Sequence, residues 1–205
     1  YLIYCTPLII SSIYGVAITF LDRWLLQFFS GGMEQGYFSL SLRVSAICFI
    51  FTNTIYPLLA REFAIGFKTN NTKLISSLYR KYIPLLYGIA CYFGCFCCIQ
   101  ANNLVNIFGG KAYTLATLSV AIMSLYPLHQ TYGHLTAQVL LSAGKTKLFA
   151  QLGMIGMTIG LGLTYLFLAP KSLFGLNLGA NGLAIKMLLS QFIMNTIIFF
   201  YVCRF

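Results

Sequence analysis

Six blocks of apolar residues, each about as long as a bilayer is thick once coiled into a helix, leave this chain little choice of architecture. They run over about 2–29, 37–60, 82–100, 113–141, 148–169 and 183–202. A helix rises ~1.5 Å per residue, so roughly 20 apolar residues cross ~30 Å of hydrocarbon. The backbone of a segment in lipid must bond within itself, and a helix does so. The expected fold is therefore an all-α, polytopic membrane protein with six transmembrane helices. Composition agrees: 8% of the 205 residues are charged, where a soluble domain carries about 25%.

The charges give the chain a sidedness. A net charge of +10 would suit nucleic acid if the cations formed one soluble patch, but they cluster at the ends of apolar blocks, and no nucleic-acid partner is expected. If the chain enters from the cytoplasm, Arg61, Lys68, Lys73, Arg80, Lys81, Lys145, Lys147 and Arg204 lie inside. Only Lys111 and Lys171, with the acid Glu34, lie outside. The positive-inside rule selects this orientation, with both ends of the segment cytoplasmic. Arg23, Arg43 and Lys186 remain within or at the edges of spans. The chain opens on Tyr1 rather than Met, with no signal-peptide pattern before the first block, and a fragment of a longer protein is expected.

Motifs for catalysis are absent. The seven cysteines (Cys5, Cys48, Cys91, Cys95, Cys97, Cys98, Cys203) lie in apolar spans without a matching His or carboxylate cluster, so they read as small hydrophobes; no metal and no cofactor is expected. Gly144-Lys145-Thr146 echoes the end of a phosphate-binding loop, but Val139 stands where that loop needs glycine. It reads instead as a turn between helices. His129 and His134 are five apart and point to different faces. Asn70-Asn71-Thr72 is a formal glycosylation sequon on the side assigned to the cytoplasm. The three acids, Asp22, Glu34 and Glu62, sit near different hairpin ends, which leaves no pair for general acid–base work. The chain is not expected to be an enzyme.

Function then rests on the polar residues that the spans tolerate, since these usually face a bundle interior or an aqueous cavity. Asp22 and Arg23 are adjacent and diverge by about 100°. Ser39 and Arg43 share a helix face, and Gln130, His134 and Gln138 recur every four residues after Pro127. Gln191 and Asn195 do the same in the last span. Arg23 lies seven residues before Ser30 and Arg43 seven after Gly36, so each is roughly 10 Å from the first outer turn. Two guanidiniums at one depth either flank an anion, for which bidentate phosphate binding suits arginine, or snorkel to the headgroups. The stripe on the fourth span either lines a cavity or bonds neighbouring helices. Pro127 is expected to kink that span, and the glycines at 153, 156, 160 and 162 to permit close packing of the fifth.

The stretch Tyr4–Pro7, Leu21-Asp22-Arg23-Trp24-Leu25-Leu26, and Glu34-Gln35-Gly36-Tyr37-Phe38-Ser39 resembles the seventh helix and following turn of bacterial polysaccharide flippases. Ile107-Phe108-Gly109 with Tyr113 and Ala116 is similar to the outer loop before their tenth helix. Leu140-Leu141-Ser142-Ala143-Gly144-Lys145-Thr146-Lys147 resembles the turn after it. The family belongs to an exporter superfamily that also holds multidrug extruders. The resemblance implies that residues 1–205 form one six-helix lobe, equivalent to helices seven to twelve of a two-lobe exporter working by alternating access, with the first lobe missing. It implies an undecaprenyl-pyrophosphate-linked oligosaccharide as substrate, moved across the bacterial cytoplasmic (inner) membrane for O-antigen, lipopolysaccharide or capsule synthesis. Arg23 and Arg43 would then receive the pyrophosphate, with Asp22, Gln130, His134 and Gln138 as further cavity residues. Its partners would be membrane lipids, the lipid-linked substrate and the missing lobe.

Two other functions compete. A cation-coupled multidrug extruder of the same fold needs a membrane-embedded acid, and Asp22 alone qualifies; with the other intramembrane charges cationic, the balance favours an anionic substrate. A membrane polysaccharide polymerase or glycosyltransferase would show a large catalytic loop. The longest connection here, Arg61 to Lys81, is poor in acids.

Overall fold

A computed structural model describes residues 2–202, apart from the side chains of Ile3 and Phe51; Cys203 and Arg204 lie outside the described residues. The described residues are mostly helical, joined by short turns. The helices are α1 (Leu2–Ser30), α2 (Gly32–Ile47), α3 (Ile50–Lys68), α4 (Thr72–Ile99), α5 (Ala101–Phe108), α6 (Thr117–Ser124), α7 (Tyr126–Ser142), α8 (Thr146–Leu168) and α9 (Gly179–Val202). Short 3₁₀ turns at Lys111–Ala116 and Lys171–Leu173 join α5 to α6 and α8 to α9.

Four helices are long and apolar enough to cross a membrane, or five if α2 and α3 form one span bent by 59°. The expected count of six meets two departures. At Cys48 and Phe49 the N–H groups bond three residues back, to Ser45 and Ala46, and the block over 37–60 is divided. No proline or glycine marks that break. The block over 113–141 is divided as well. Leu125 N–H bonds to the Ile122 carbonyl, and Pro127, without an N–H, sits in the first turn of α7. The 17 residues of α7 reach about 26 Å, short of the ~30 Å hydrocarbon core. By contrast Pro7, Pro57 and Pro84 lie inside α1, α3 and α4, which run on past them.

Tight turns follow local chemistry. Gly144 takes a left-handed φ of 75° after α7, as glycine does where a helix stops. Asn71, within the sequon, is the N-cap of α4: its Oδ1 accepts the Leu74 N–H at 3.0 Å.

Cross-helix contacts define two ends. At one, Tyr37 meets Tyr113 edge-on, and Glu34 Oε2 accepts the Ala180 N–H at 2.7 Å, which joins the 1–2 turn to the start of α9. At the other, Tyr4 donates to the Leu141 carbonyl and Ser142 to the Ala60 carbonyl. Lys68, Lys73, Lys145 and Lys147 flank this second end, while Lys111 and Lys171 flank the first. The largest buried cluster, including Leu26, Tyr37, Phe38, Val105, Met123 and Leu183, lies towards the first end; Phe63, Leu86 and Leu135 anchor another between α3, α4 and α7. Apolar residues cover much of the outside, with Val16 72% and Phe20 69% exposed, as a lipid-facing surface requires.

Candidate functional site

Helical phase places Asp22 inward. Ser11, Ile18, Asp22 and Leu26 form the buried stripe of α1, recurring at intervals of seven and four. This stripe packs on α8 and α9. Asp22, 8% exposed, meets Lys186 of α9, 4% exposed, with Nζ 2.5 Å from Oδ2. Thr164 of α8, fully buried, has Oγ1 2.7 Å from Asp22 Oδ1 and 3.0 Å from the Gly160 carbonyl. Three helices thus converge on one carboxylate. Gly160 opens the path: a Cβ there would stand 3.3 Å from Lys186 Cε. In low dielectric an isolated charge is expelled or neutralised, whereas a paired and hydrogen-bonded one persists.

Arg23 projects about 100° from Asp22 and is exposed, as is Arg43 on α2. Neither has an ion-pair partner among the described residues. Arg43 shares its open face of α2 with Ala46 and Ile47, while Tyr37, Ser41, Val44 and Ser45 turn into the bundle.

On α7, Gln130 Nε2 and His134 Nε2 are hydrogen-bonded at 2.6 Å, one helical turn apart. The His134 ring lies 5.1 Å from that of Tyr56, whose hydroxyl donates to the Thr131 carbonyl. Gln130 Oε1 is buried and has no partner among the described residues. Gln138 is half-buried one turn on. A separate network ties α7 to α9: Gln191 Nε2 donates to Asn195 Oδ1 at 3.0 Å, and Asn195 Nδ2 donates to the His129 carbonyl. Beside it, a cavity of about 370 Å³ opens between α4, α7 and α9, with Tyr87, His129, Tyr132, Phe192 and Asn195 in its wall. The structure therefore gives three separate polar places: the Asp22 centre, the Gln130–His134 pair, and this aromatic cavity.

Sequence reasoning passed over the partners of Asp22. Lys186 was legible as an intramembrane cation near one acid of opposite sign, and a buried charge requires a partner. Thr164 carries no such mark. Cys48 and Cys97 approach to 3.9 Å between sulfurs, as do Cys91 and Cys95.

No protein-family profile matches the sequence, and no curated protein matches it. Among solved structures, the fold is similar to that of a crystal structure of a MATE mutant, with a TM-score of 0.85 and 12% identity. The likeness covers 97% of this chain and 44% of the other. At that identity it shows the fold alone. The chain is a multi-pass membrane protein, all-helical among the described residues, with a fold like that of part of the MATE structure, and it spans less than half the length of the chain it matches.

Proposed function

We propose that the chain is one lobe of a cation-coupled exporter, of the multidrug-extruder kind, in which Asp22 is the coupling acid. The observation that carries this reading is the buried Asp22–Lys186 pair. It weakens the argument for an anionic substrate, because one of the three intramembrane cations, Lys186, is already compensated by Asp22. Asp22 is the buried acid among the described residues, and an acid inside the membrane that can take up and release a cation is what ion coupling requires. The likeness in fold to a MATE transporter, named for multidrug and toxic compound extrusion, supports the same choice. In this reading α6 and α7 together make the fourth of six crossings, the basic end faces the cytoplasm, and a second lobe of the native protein closes over the exposed polar face. Cells expressing the full-length protein should extrude ethidium, an organic cation, and Asp22→Asn should abolish this at matched expression. Undiminished extrusion by Asp22→Asn refutes the coupling role.

The second reading, a flippase for undecaprenyl-pyrophosphate-linked oligosaccharide in the inner membrane, is favoured by one observation: Arg23 and Arg43 are exposed cations without acidic partners among the described residues. Against the missing lobe they would line a positive cavity with Gln130, His134 and Gln138. A charge-assisted bond contributes about 1.5–3 kcal/mol, so Arg43→Gln should cut surface-polysaccharide export more than tenfold while Arg43→Lys restores part. If both variants export normally, this second reading falls and ethidium extrusion is unaffected.

A further inference from the structure

We infer that Lys186 makes the Asp22 centre selective for a proton over a metal cation. The inference rests on the coupling role proposed for Asp22 and concerns which ion that carboxylate takes. Sodium binds where oxygen ligands gather around net negative charge, and dehydration must be repaid by several of them. Here the place beside Asp22 Oδ2 is filled by an ammonium tethered to α9 at 2.5 Å, and the pair is neutral overall. A metal ion would have to displace that ammonium from Oδ2 and take its place. A proton meets neither obstacle, since it adds to the carboxylate without needing a coordination shell.

Thr164 supplies the means. Its hydroxyl has one proton but two oxygens within reach, Asp22 Oδ1 at 2.7 Å and the Gly160 carbonyl at 3.0 Å. With Asp22 ionised, the hydroxyl donates to Oδ1. When a proton from water adds to Oδ1, the new carboxyl O–H donates to Thr164 Oγ1, and the threonine proton turns to Gly160. Every polar atom of the pair is bonded in both states. The neutral centre has become singly positive, and Lys186 loses its counter-charge. Ser190, one turn along α9, has a buried Oγ with no partner among the described residues. That oxygen, like Lys186 Cε, stands 3.3 Å from where a Cβ on Gly160 would lie, an acceptor on the Lys186 side of the centre.

Other charged groups do not compete for Asp22. Arg23, next to it on α1, is exposed. On α2, Glu34 is bonded to Ala180 and Arg43 is exposed. On α8, the charged residue is Lys147 in the first turn, far from Thr164, and Tyr165 is an exposed phenol bonded to the Leu173 carbonyl. On α9, Lys186 is the charged residue, and Tyr201 is exposed near the opposite end.

The test is infrared titration of the full-length protein in lipid vesicles, in sodium chloride and in choline chloride of equal concentration. The carboxylic-acid carbonyl band belonging to Asp22 is the one lost in Asp22→Asn. The expected result is a band that grows on acidification with the same midpoint in both salts. In Lys186→Gln, sodium should lower that midpoint, by up to about one pH unit per tenfold rise in concentration, while Lys186→Arg should stay insensitive. If Lys186→Gln does not fold, the wild-type and Lys186→Arg titrations still decide. A sodium-dependent midpoint in wild type, no titrating band, or a folded Lys186→Gln that ignores sodium each overturns the inference. Failure of the coupling role would show elsewhere, as ethidium extrusion that survives Asp22→Asn.

Discussion

Asp22 and Arg23 show how much one residue step decides in a membrane helix. Sequence distance from a turn gives depth, and it put both near the same level; helical phase gives direction, and it buries one and exposes the other. The pair that results is expensive to break by halves. Lys186→Met leaves a buried carboxylate alone and should destabilise the protein by about 3–5 kcal/mol, whereas Asp22→Asn with Lys186→Met should recover much of that loss. Thermal unfolding in detergent measures both. Equal loss in the single and double variants would mean that the two charges are not coupled. The sequence made the charges legible, because three acids among six apolar blocks leave little to search. Thr164 was not legible: a threonine in a helix usually bonds to its own backbone, and Thr164 also does.

At the scale of elements, the apolar blocks were read correctly as helical, and their breaks only in part. Pro127 announces the division before α7, since a missing N–H is a property of one residue. The bend after Ile47 has no such residue. Contacts between elements were hidden for the same reason, because they depend on partners distant in sequence. Gly133 is one. A Cβ there would stand 2.0 Å from Asn195 Oδ1, so Gly133→Ala should force Asn195 off the His129 carbonyl and cost about 1–3 kcal/mol. Unchanged stability would show that α9 yields freely. Glu34 is another: read as a lone acid in an outer turn, it caps α9 across the fold. Glu34→Ala should cost about 1 kcal/mol and speed hydrogen exchange at the amides of Ala180 and Asn181, with Glu34→Gln milder. Exchange unaltered in Glu34→Ala would remove the cap.

The whole molecule is a bundle whose two ends differ in charge, covered by apolar side chains, with its described ion pair buried inside. Reporter fusions after Lys73 and Lys147 should read as cytoplasmic, and one at Gly32 as outside; a cytoplasmic result at Gly32 overturns the orientation. The helical, multi-pass fold was legible from the apolar blocks, and the fold likeness agrees at that level. Choosing between the two proposed functions depends on what the buried charge does, which a charge count over the sequence obscures because it weighs exposed arginines equally with buried groups. Proton flux across vesicles containing the full-length protein addresses this most directly. When ethidium is added on one side, protons should move the other way in wild type and stay still in Asp22→Asn. Undiminished proton movement in Asp22→Asn would contradict a coupling role for that residue.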